Sequence, residues 1–94
     1  MKPTNRDIVE RYISAYNRRD TDAMLELFAE DALFESVSNT GGIARTENRE
    51  QLRELALQTV DWFAERRQSV TGWVDGGDEV AVEISFWCRL ADYM

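Results

Sequence analysis

Two residue types that carry much of enzyme chemistry are scarce in this chain. It has no histidine, which excludes a catalytic triad, an imidazole base and a histidine metal site. Its one cysteine, Cys88, can form no disulfide within the chain, and this fits a reducing cytoplasm. Cys88 falls in an apolar run and is better interpreted as a small core residue than as a nucleophile. We expect no cofactor and no metal, since only weak carboxylate sites for a hard cation are left.

The other side chains with recognisable chemistry are carboxylates, hydroxyls and ten aromatic rings. Apolar and aromatic residues recur on the predicted elements in a pattern that usually forms a core. In a chain this short, the same residues could instead line a cavity for a flat apolar ligand. The candidate ligand-binding residues are Tyr16, Phe34, Trp62, Val82 and Phe86.

Hydrophobic periodicity and capping residues predict the elements that position these side chains. Helices and strands segregate along the chain, which is the pattern of an α+β fold. The Asp75–Asp78 segment, with two glycines, predicts a hairpin turn. The predicted elements are a helix from Thr4 to about Asn17, a short helix capped by Asp20 or Thr21, a helix from Asn48 to about Arg66-Arg67, and strands over 32–37, 68–74 and 79–90. Residues 43–45 could form a brief strand or an extended approach to the third helix.

Length and charge limit the class of protein. Ninety-four residues fit one domain, here taken as 1–94, and no stretch approaches the roughly 20 apolar residues of a membrane helix. A net charge of −7 argues against a nucleic-acid partner, whose phosphates would be repelled. We therefore expect a cytoplasmic protein that contacts neither membrane nor nucleic acid.

Two runs in the first third of the chain resemble a known family. Residues 11–20 read RYISAYNRRD, and residues 24–32 read MLELFAEDA. They resemble the start of the SnoaL-like proteins, within the nuclear transport factor 2-like superfamily that includes ketosteroid isomerases, polyketide cyclases and limonene epoxide hydrolases. The third helix, the Gly-Gly turn and the alternating strand follow in the expected order, so the resemblance covers nearly the whole chain.

The resemblance implies a cone-like α+β fold in which three helices pack on a curved antiparallel sheet around an apolar pocket. In this family the sheet continues with further strands beyond the position of Leu90. The sheet is therefore expected to be incomplete in this chain, through truncation or because a second chain completes it. The long strand would otherwise have an unpaired edge, which natural proteins usually cover.

The resemblance also implies candidate catalytic residues. Tyr12 matches the tyrosine that donates a hydrogen bond to the enolate oxygen in ketosteroid isomerases, although packing alone is the favoured interpretation, because many noncatalytic relatives also carry a tyrosine here. The position of their aspartate base holds Ser36, which cannot accept a proton without a neighbouring base. Glu35 could replace that base only if its side chain faced inward. Tyr12 and Glu35 are thus the candidate catalytic residues.

One aromatic residue points to an interface. Strand alternation places Trp87 opposite the apolar row, on the outer face of the sheet, where an exposed indole is typical of an interface. Relatives commonly dimerise through that face, so a homodimer is expected. Two functions follow: a SnoaL-like protein that binds or transforms a polyketide-, steroid- or terpenoid-like compound, as an isomerase, cyclase or hydrolase, or a noncatalytic homodimeric association module.

Overall fold

The computed structural model describes residues 3–39 and 41–92 and has the α+β architecture predicted from the sequence. Within these residues there are three helices and four strands, and the strands form antiparallel pairs. The elements are α1 (Asn5–Asn17), α2 (Thr21–Leu25), β1 (Phe34–Val37), β2 (Ile43–Thr46), α3 (Arg49–Val60), β3 (Phe63–Asp75) and β4 (Val80–Leu90).

The predicted helix starts are confirmed by their capping contacts. Thr4 and Asp7 form a reciprocal capping box at α1, in which each side chain accepts a hydrogen bond from the other residue's backbone N–H. Asp20 caps α2 by accepting from the N–H of Ala23, and Asn48 caps α3 by accepting from Gln51. Local polar residues therefore fix where each helix begins.

The strands form two separate two-stranded sheets. β1 pairs with β2, and β3 pairs with β4 from Phe63 opposite Leu90 to Asp75 opposite Val80. Two register shifts interrupt β3, and such bulges bend a strand. Among the described residues, β4 has no strand on its other edge, so the sheet is incomplete within this chain, as expected.

The third helix is shorter than predicted, and this correction changes the site. The sequence pattern suggested that α3 reaches Arg66-Arg67, but it ends at Val60 and β3 begins at Phe63. The reason is strand pairing. β4 is eleven residues long, and β3 pairs with it along its whole length, from the hairpin turn back to Phe63. Backbone pairing with β4 thus overrides the local helix signal.

The two faces of the β3–β4 sheet have different environments. The inner face, which we define by Arg66, Gln68, Val70, Trp73 and Val82, is half-buried and turns towards the helices. The outer face carries the residues between them, which are mostly exposed: Arg67, Ser69, Val74, Ala81, Ser85 and Trp87.

The core lies between the helices and covers one end of the inner face. Ala15, Met24, Leu25 and Leu52 form the buried cluster, and Leu25 is fully buried. α1 packs along β3, and the side chain of Asn17 connects them. Its amide donates to the carbonyl of Gln68 at 2.9 Å and its oxygen accepts from the Gln68 N–H at 2.7 Å. Asn17 therefore acts like a short additional strand beside β3.

Candidate functional site

Two neighbouring cavities lie between the helices and the strands. The first, here called the inner cavity, has a volume of about 130 Å³ and is lined by Tyr12, Tyr16, Thr21, Met24, Phe28, Phe34, Leu52, Leu55, Ala56, Thr59 and Arg66. The second, here called the apolar groove, has a volume of about 350 Å³ and is lined by Ile8, Val9, Tyr12, Leu27, Phe28, Phe34, Val82 and Ile84.

Three aromatic side chains belong to the walls of both cavities: Tyr12, Phe28 and Phe34. The rings of Tyr12 and Phe28 meet edge to face with centroids 5.9 Å apart, and Tyr16 lies 6.3 Å from Tyr12. Tyr12 comes from α1, Phe28 from the turn after α2 and Phe34 from the start of β1, whereas Tyr16 lies beside Tyr12 because residues four apart share a helix face. Of the predicted residues, Tyr12, Tyr16 and Phe34 meet at the inner cavity, while Val82 joins Tyr12 and Phe34 at the groove.

Burial favours the neutral form of the two tyrosines. The pKa of Tyr12 is raised chiefly by burial and further by Tyr16, with the charge of Arg66 acting in the opposite direction. Burial likewise raises the pKa of Tyr16, and Arg66 again opposes it. Both phenols are therefore protonated near neutral pH, where a tyrosine hydroxyl can donate a hydrogen bond.

Arg66 is a site residue that the sequence interpretation missed. With α3 ending at Val60, Arg66 lies on the inner face of β3 and lines the inner cavity. Its guanidinium carbon stands 3.8 Å from the centroid of the Tyr16 ring, and Nη2 donates to the Tyr16 carbonyl at 3.2 Å. Alternation read back from the hairpin turn would not have found it, because the register shift between Val70 and Gly72 reverses which residues of β3 face inward.

Glu35 lies outside this cluster. Its carboxylate accepts a hydrogen bond from Arg45 of the neighbouring strand at 2.7 Å, and both side chains are about half exposed. Phe34 lines both cavities, and strand alternation turns Glu35 to the opposite face. Ser36, which the resemblance matched to the isomerase base, is exposed. No carboxylate of the described residues lines the inner cavity or the groove.

The remaining predicted residues are spread around the site. Phe86 is 47% exposed but its ring contacts Tyr16 and Phe63 edge to face. Trp62 was expected beside the apolar stripe of α3, but it lies in the turn after the helix and is 47% exposed. Trp87 lies on the outer face, as expected, and is 55% exposed.

The hairpin turn determines which face of the sheet Trp73 occupies. Asp75 pairs with Val80, so an even number of residues forms the turn and Trp73 shares the inner face with Val82. The guanidinium of Arg6 stacks on the indole of Trp73 at 4.6 Å. Trp73 therefore lies on the inner face beside Val82, although it lines neither the inner cavity nor the apolar groove.

Other features of the surface offer less chemistry. A larger cleft of about 510 Å³ between α1 and α2 is open and lined by charged residues that include Asp7, Glu10, Arg11 and Glu26. Within residues 3–39 and 41–92, no three potential ligands converge as a metal site would require. None of the described helices has the length and apolar character needed to cross a bilayer.

Comparison with protein families gives a match over almost the entire sequence. The model of the SnoaL-like domain matches residues 9–92. A comparison with curated proteins finds no significant match. The matched range includes all four strands, all of α2 and α3, and every inner-cavity residue.

Solved structures share this fold at low sequence identity. A hypothetical protein with a ketosteroid isomerase-like fold from Catenulispora acidiphila, in complex with trimethylamine, is 22% identical with a TM-score of 0.78, over 95% of this chain and 66% of its own. A putative polyketide cyclase from Sinorhizobium meliloti is 24% identical with a TM-score of 0.74, over 92% and 73%. An epoxide hydrolase of the limonene type from M. tuberculosis is 17% identical with a TM-score of 0.72, over 88% and 59%.

These coverages show that the chain spans about three fifths to three quarters of the length of the structures it matches. The likeness therefore establishes the fold, including the cystatin-like architecture of a further neighbour from Novosphingobium aromaticivorans. The aromatic cavities and Arg66 are features of this chain's own residues.

Proposed function

The chain belongs to the SnoaL-like domain family of the nuclear transport factor 2-like superfamily, and from this premise we propose that it binds a small apolar molecule in the inner cavity and the apolar groove. The ligand is a flat, ring-containing compound of the polyketide, steroid or terpenoid kind. An isomerase, cyclase or hydrolase reaction on that compound is part of the proposal, as is a location in the cytoplasm.

The observation that carries the proposal is the shared aromatic wall between two cavities. Tyr12, Phe28 and Phe34 offer ring faces and edges to a ligand on either side. A cavity of roughly 150 Å³ lined by apolar side chains is large enough to hold a benzene ring. The inner cavity, at about 130 Å³, is close to that size, and the groove provides space for the rest of a larger molecule.

The lining residues support stabilisation of negative charge better than proton abstraction. Tyr12 is a protonated donor and Arg66 a cation, and both lie at the inner cavity. Such groups stabilise an oxygen on which charge develops during a reaction. Because no described lining residue is a carboxylate, a reaction that needs a base would take it from the ligand or from solvent.

Cavity filling tests the binding site. The neutral fluorescent probe N-phenyl-1-naphthylamine reports on apolar sites, and we expect it to bind the wild-type chain. Val82→Phe fills the groove and is expected to weaken probe binding by about tenfold, which corresponds to about 1.4 kcal/mol. The matched control is Ala81→Phe, which adds a ring on the outer face and should leave binding unchanged. Equal binding by both variants would place the probe elsewhere.

A pair of ligands tests the role of Tyr12. 2-Acetonaphthone carries a ketone oxygen, whereas 2-ethylnaphthalene has nearly the same shape and no acceptor. Tyr12→Phe removes one hydrogen bond and is expected to weaken ketone binding about threefold to tenfold. Binding of 2-ethylnaphthalene should not change. If the substitution affects both ligands equally, Tyr12 acts through packing alone.

The second candidate function is a noncatalytic homodimeric association module. It is favoured by the outer face, where Trp87 and Val74 are 55% and 69% exposed, and by the unpaired edge of β4 among the described residues. Burial of these side chains against a second copy would remove apolar surface from water. Light scattering over a concentration series tests it, because a stable monomer at micromolar concentration would argue against this function.

A further inference from the structure

Arg66 differs from most of the arginines in this chain. Acidic residues outnumber basic ones by 18 to 11. Six arginines form ion pairs with nearby carboxylates: Arg6, Arg18, Arg45, Arg49, Arg53 and Arg89. Arg66, which is half-buried at the inner cavity, has no such partner in the part of the chain that the structure describes. Its charge is therefore not neutralised within the described fold.

The hydrogen bonds of Arg66 are also incomplete. A guanidinium has five N–H donors, and those of Arg66 contact Tyr16 both at its carbonyl, at 3.2 Å, and at its hydroxyl. The Nε atom is buried and has no hydrogen-bond partner. An unsatisfied buried donor is costly, and the cost is greater for a charged group. Such a group fits a site in which a ligand supplies the missing acceptor.

The contacts with Tyr16 hold the guanidinium of Arg66 in place. Tyr16 is uncharged, so these contacts do not neutralise the positive charge. The centroid of the Tyr16 ring lies 3.8 Å from the guanidinium carbon, and the Tyr16 carbonyl accepts a hydrogen bond from Nη2. Tyr16 therefore contacts the guanidinium both on its face and at one of its N–H groups, which fixes the orientation of the guanidinium plane. A planar guanidinium held in this way is preorganised for a carboxylate, whose two oxygens match two parallel N–H groups. The phenol of Tyr12 at the same cavity is protonated and therefore uncharged, so it does not repel a bound anion.

We propose that the ligand of this protein carries a carboxylate, which Arg66 binds at the inner cavity while the apolar body of the ligand packs on Tyr12, Phe28 and Phe34. This inference rests on the proposed binding function and narrows its ligand class from apolar compounds to apolar ring carboxylates. The surroundings favour it, since the other lining residues of the inner cavity are neutral and leave the positive charge of Arg66 unopposed.

A matched pair of small probes tests the proposal without any substitution. Benzoate and benzamide have the same ring and nearly the same shape, but only benzoate is charged. Their dissociation constants are measured by NMR titration of the wild-type chain. A charge-assisted hydrogen bond in a partly buried site predicts that benzoate binds about ten- to a hundredfold more tightly than benzamide.

Two neighbouring arginines then assign the effect to one side chain. Arg66→Met keeps length and apolar stem but removes the charge, and it should bring the benzoate-to-benzamide ratio close to one. Arg67→Met removes the same charge from the outer face and should leave the ratio as in the wild type. Arg66→Lys keeps the charge and should retain part of the preference. Thermal unfolding of each variant shows whether it is folded.

The outcomes separate this inference from the proposed function. Equal binding of benzoate and benzamide, with N-phenyl-1-naphthylamine still bound, would overturn the carboxylate while leaving an apolar binding site. An unchanged ratio in folded Arg66→Met, or a ratio lost equally in Arg67→Met, would overturn the assignment to Arg66. Absence of binding by all three probes would overturn both the inference and the proposed function.

Discussion

The two faces of the β3–β4 sheet carry similar residues with different surroundings. Arg66 and Arg67 are adjacent, yet the first stacks on Tyr16 in the inner cavity and the second is exposed on the outer face. Val82 and Ala81 differ in the same way. The difference comes from the helices, which cover only one side of the sheet. Residue type alone therefore does not assign a role in this chain, whereas the face of the strand does.

The helices create the difference between the two faces, and substitutions in their core are expected to lower the unfolding free energy most. Leu25 is fully buried between α1, α2 and α3, so Leu25→Ala leaves a cavity and is expected to cost about 2–5 kcal/mol of unfolding free energy. The control is Leu57→Ala on α3. Leu57 is 52% exposed, so this substitution should change the unfolding free energy by less than about 1 kcal/mol. Urea denaturation measures both. Equal losses would contradict the position of the core.

The next effect tests how the inner face is attached to α1. Asn17→Ala removes both hydrogen bonds to the Gln68 backbone and leaves a half-buried donor and acceptor of β3 without a partner. We expect a loss of about 1–3 kcal/mol in unfolding free energy. Gln58→Ala, at an exposed position of α3, is the control. A loss no larger than that of the control would mean that Asn17 does not hold α1 against the sheet.

The half-buried tyrosines of the inner side, Tyr12 and Tyr16, predict an alkaline transition. An unfolded tyrosine has a pKa of about 10. Burial raises the pKa of Tyr12 and of Tyr16 in the folded chain above that value. The stability linked to these groups is then fully present below pH about 10 and is lost as pH rises through the folded pKa. Phenolate absorbance and urea denaturation between neutral and alkaline pH measure this.

Tyr12→Phe provides the comparison for that transition. Without the Tyr12 hydroxyl, the fall of unfolding free energy at alkaline pH should become shallower, while the stability near pH 7 changes little. A variant whose alkaline limb is as steep as that of the wild type would show that Tyr12 is not the linked group. Tyr93 lies outside the described residues, and its titration is identified by Tyr93→Phe.

The smallest effect on folding is expected on the outer face. Trp87→Ala removes an exposed ring and should alter the unfolding free energy of a monomer by only about 0.5 kcal/mol. If the outer face is a dimer interface, the same substitution should shift the molar mass measured by light scattering towards that of a monomer. Trp62→Ala, equally large and nearly as exposed, is the control and should not.

Much of the fold could be predicted from local signals. The caps at Thr4, Asp20 and Asn48 fixed the helix starts, and strict alternation identified β4. The end of α3 could not be predicted, because the basic pair at Arg66-Arg67 is also typical of a helix C-terminus. Only the pairing of β3 with the full length of β4 decides between helix and strand there.

The candidate site was predicted only in part for the same reason. Tyr12, Tyr16, Phe34 and Val82 lie on elements whose faces the sequence pattern assigns, and they line the two cavities. Arg66 depended on the boundary that was wrong, and the facing of Glu35 stayed open because one short strand gives too few alternations. The function of these residues remains a proposal.

The central claim, that a ligand binds on the inner side of the sheet, is tested most directly by methyl NMR of the chain titrated with N-phenyl-1-naphthylamine. The methyl groups of Met24, Leu55 and Val82 line the two cavities, whereas those of Val74 and Leu57 are exposed elsewhere. Saturable shifts are expected for Met24, Leu55 and Val82, and none for Val74 and Leu57. Shifts confined to Val74 and Leu57, or spread equally over all five residues, would contradict the claim.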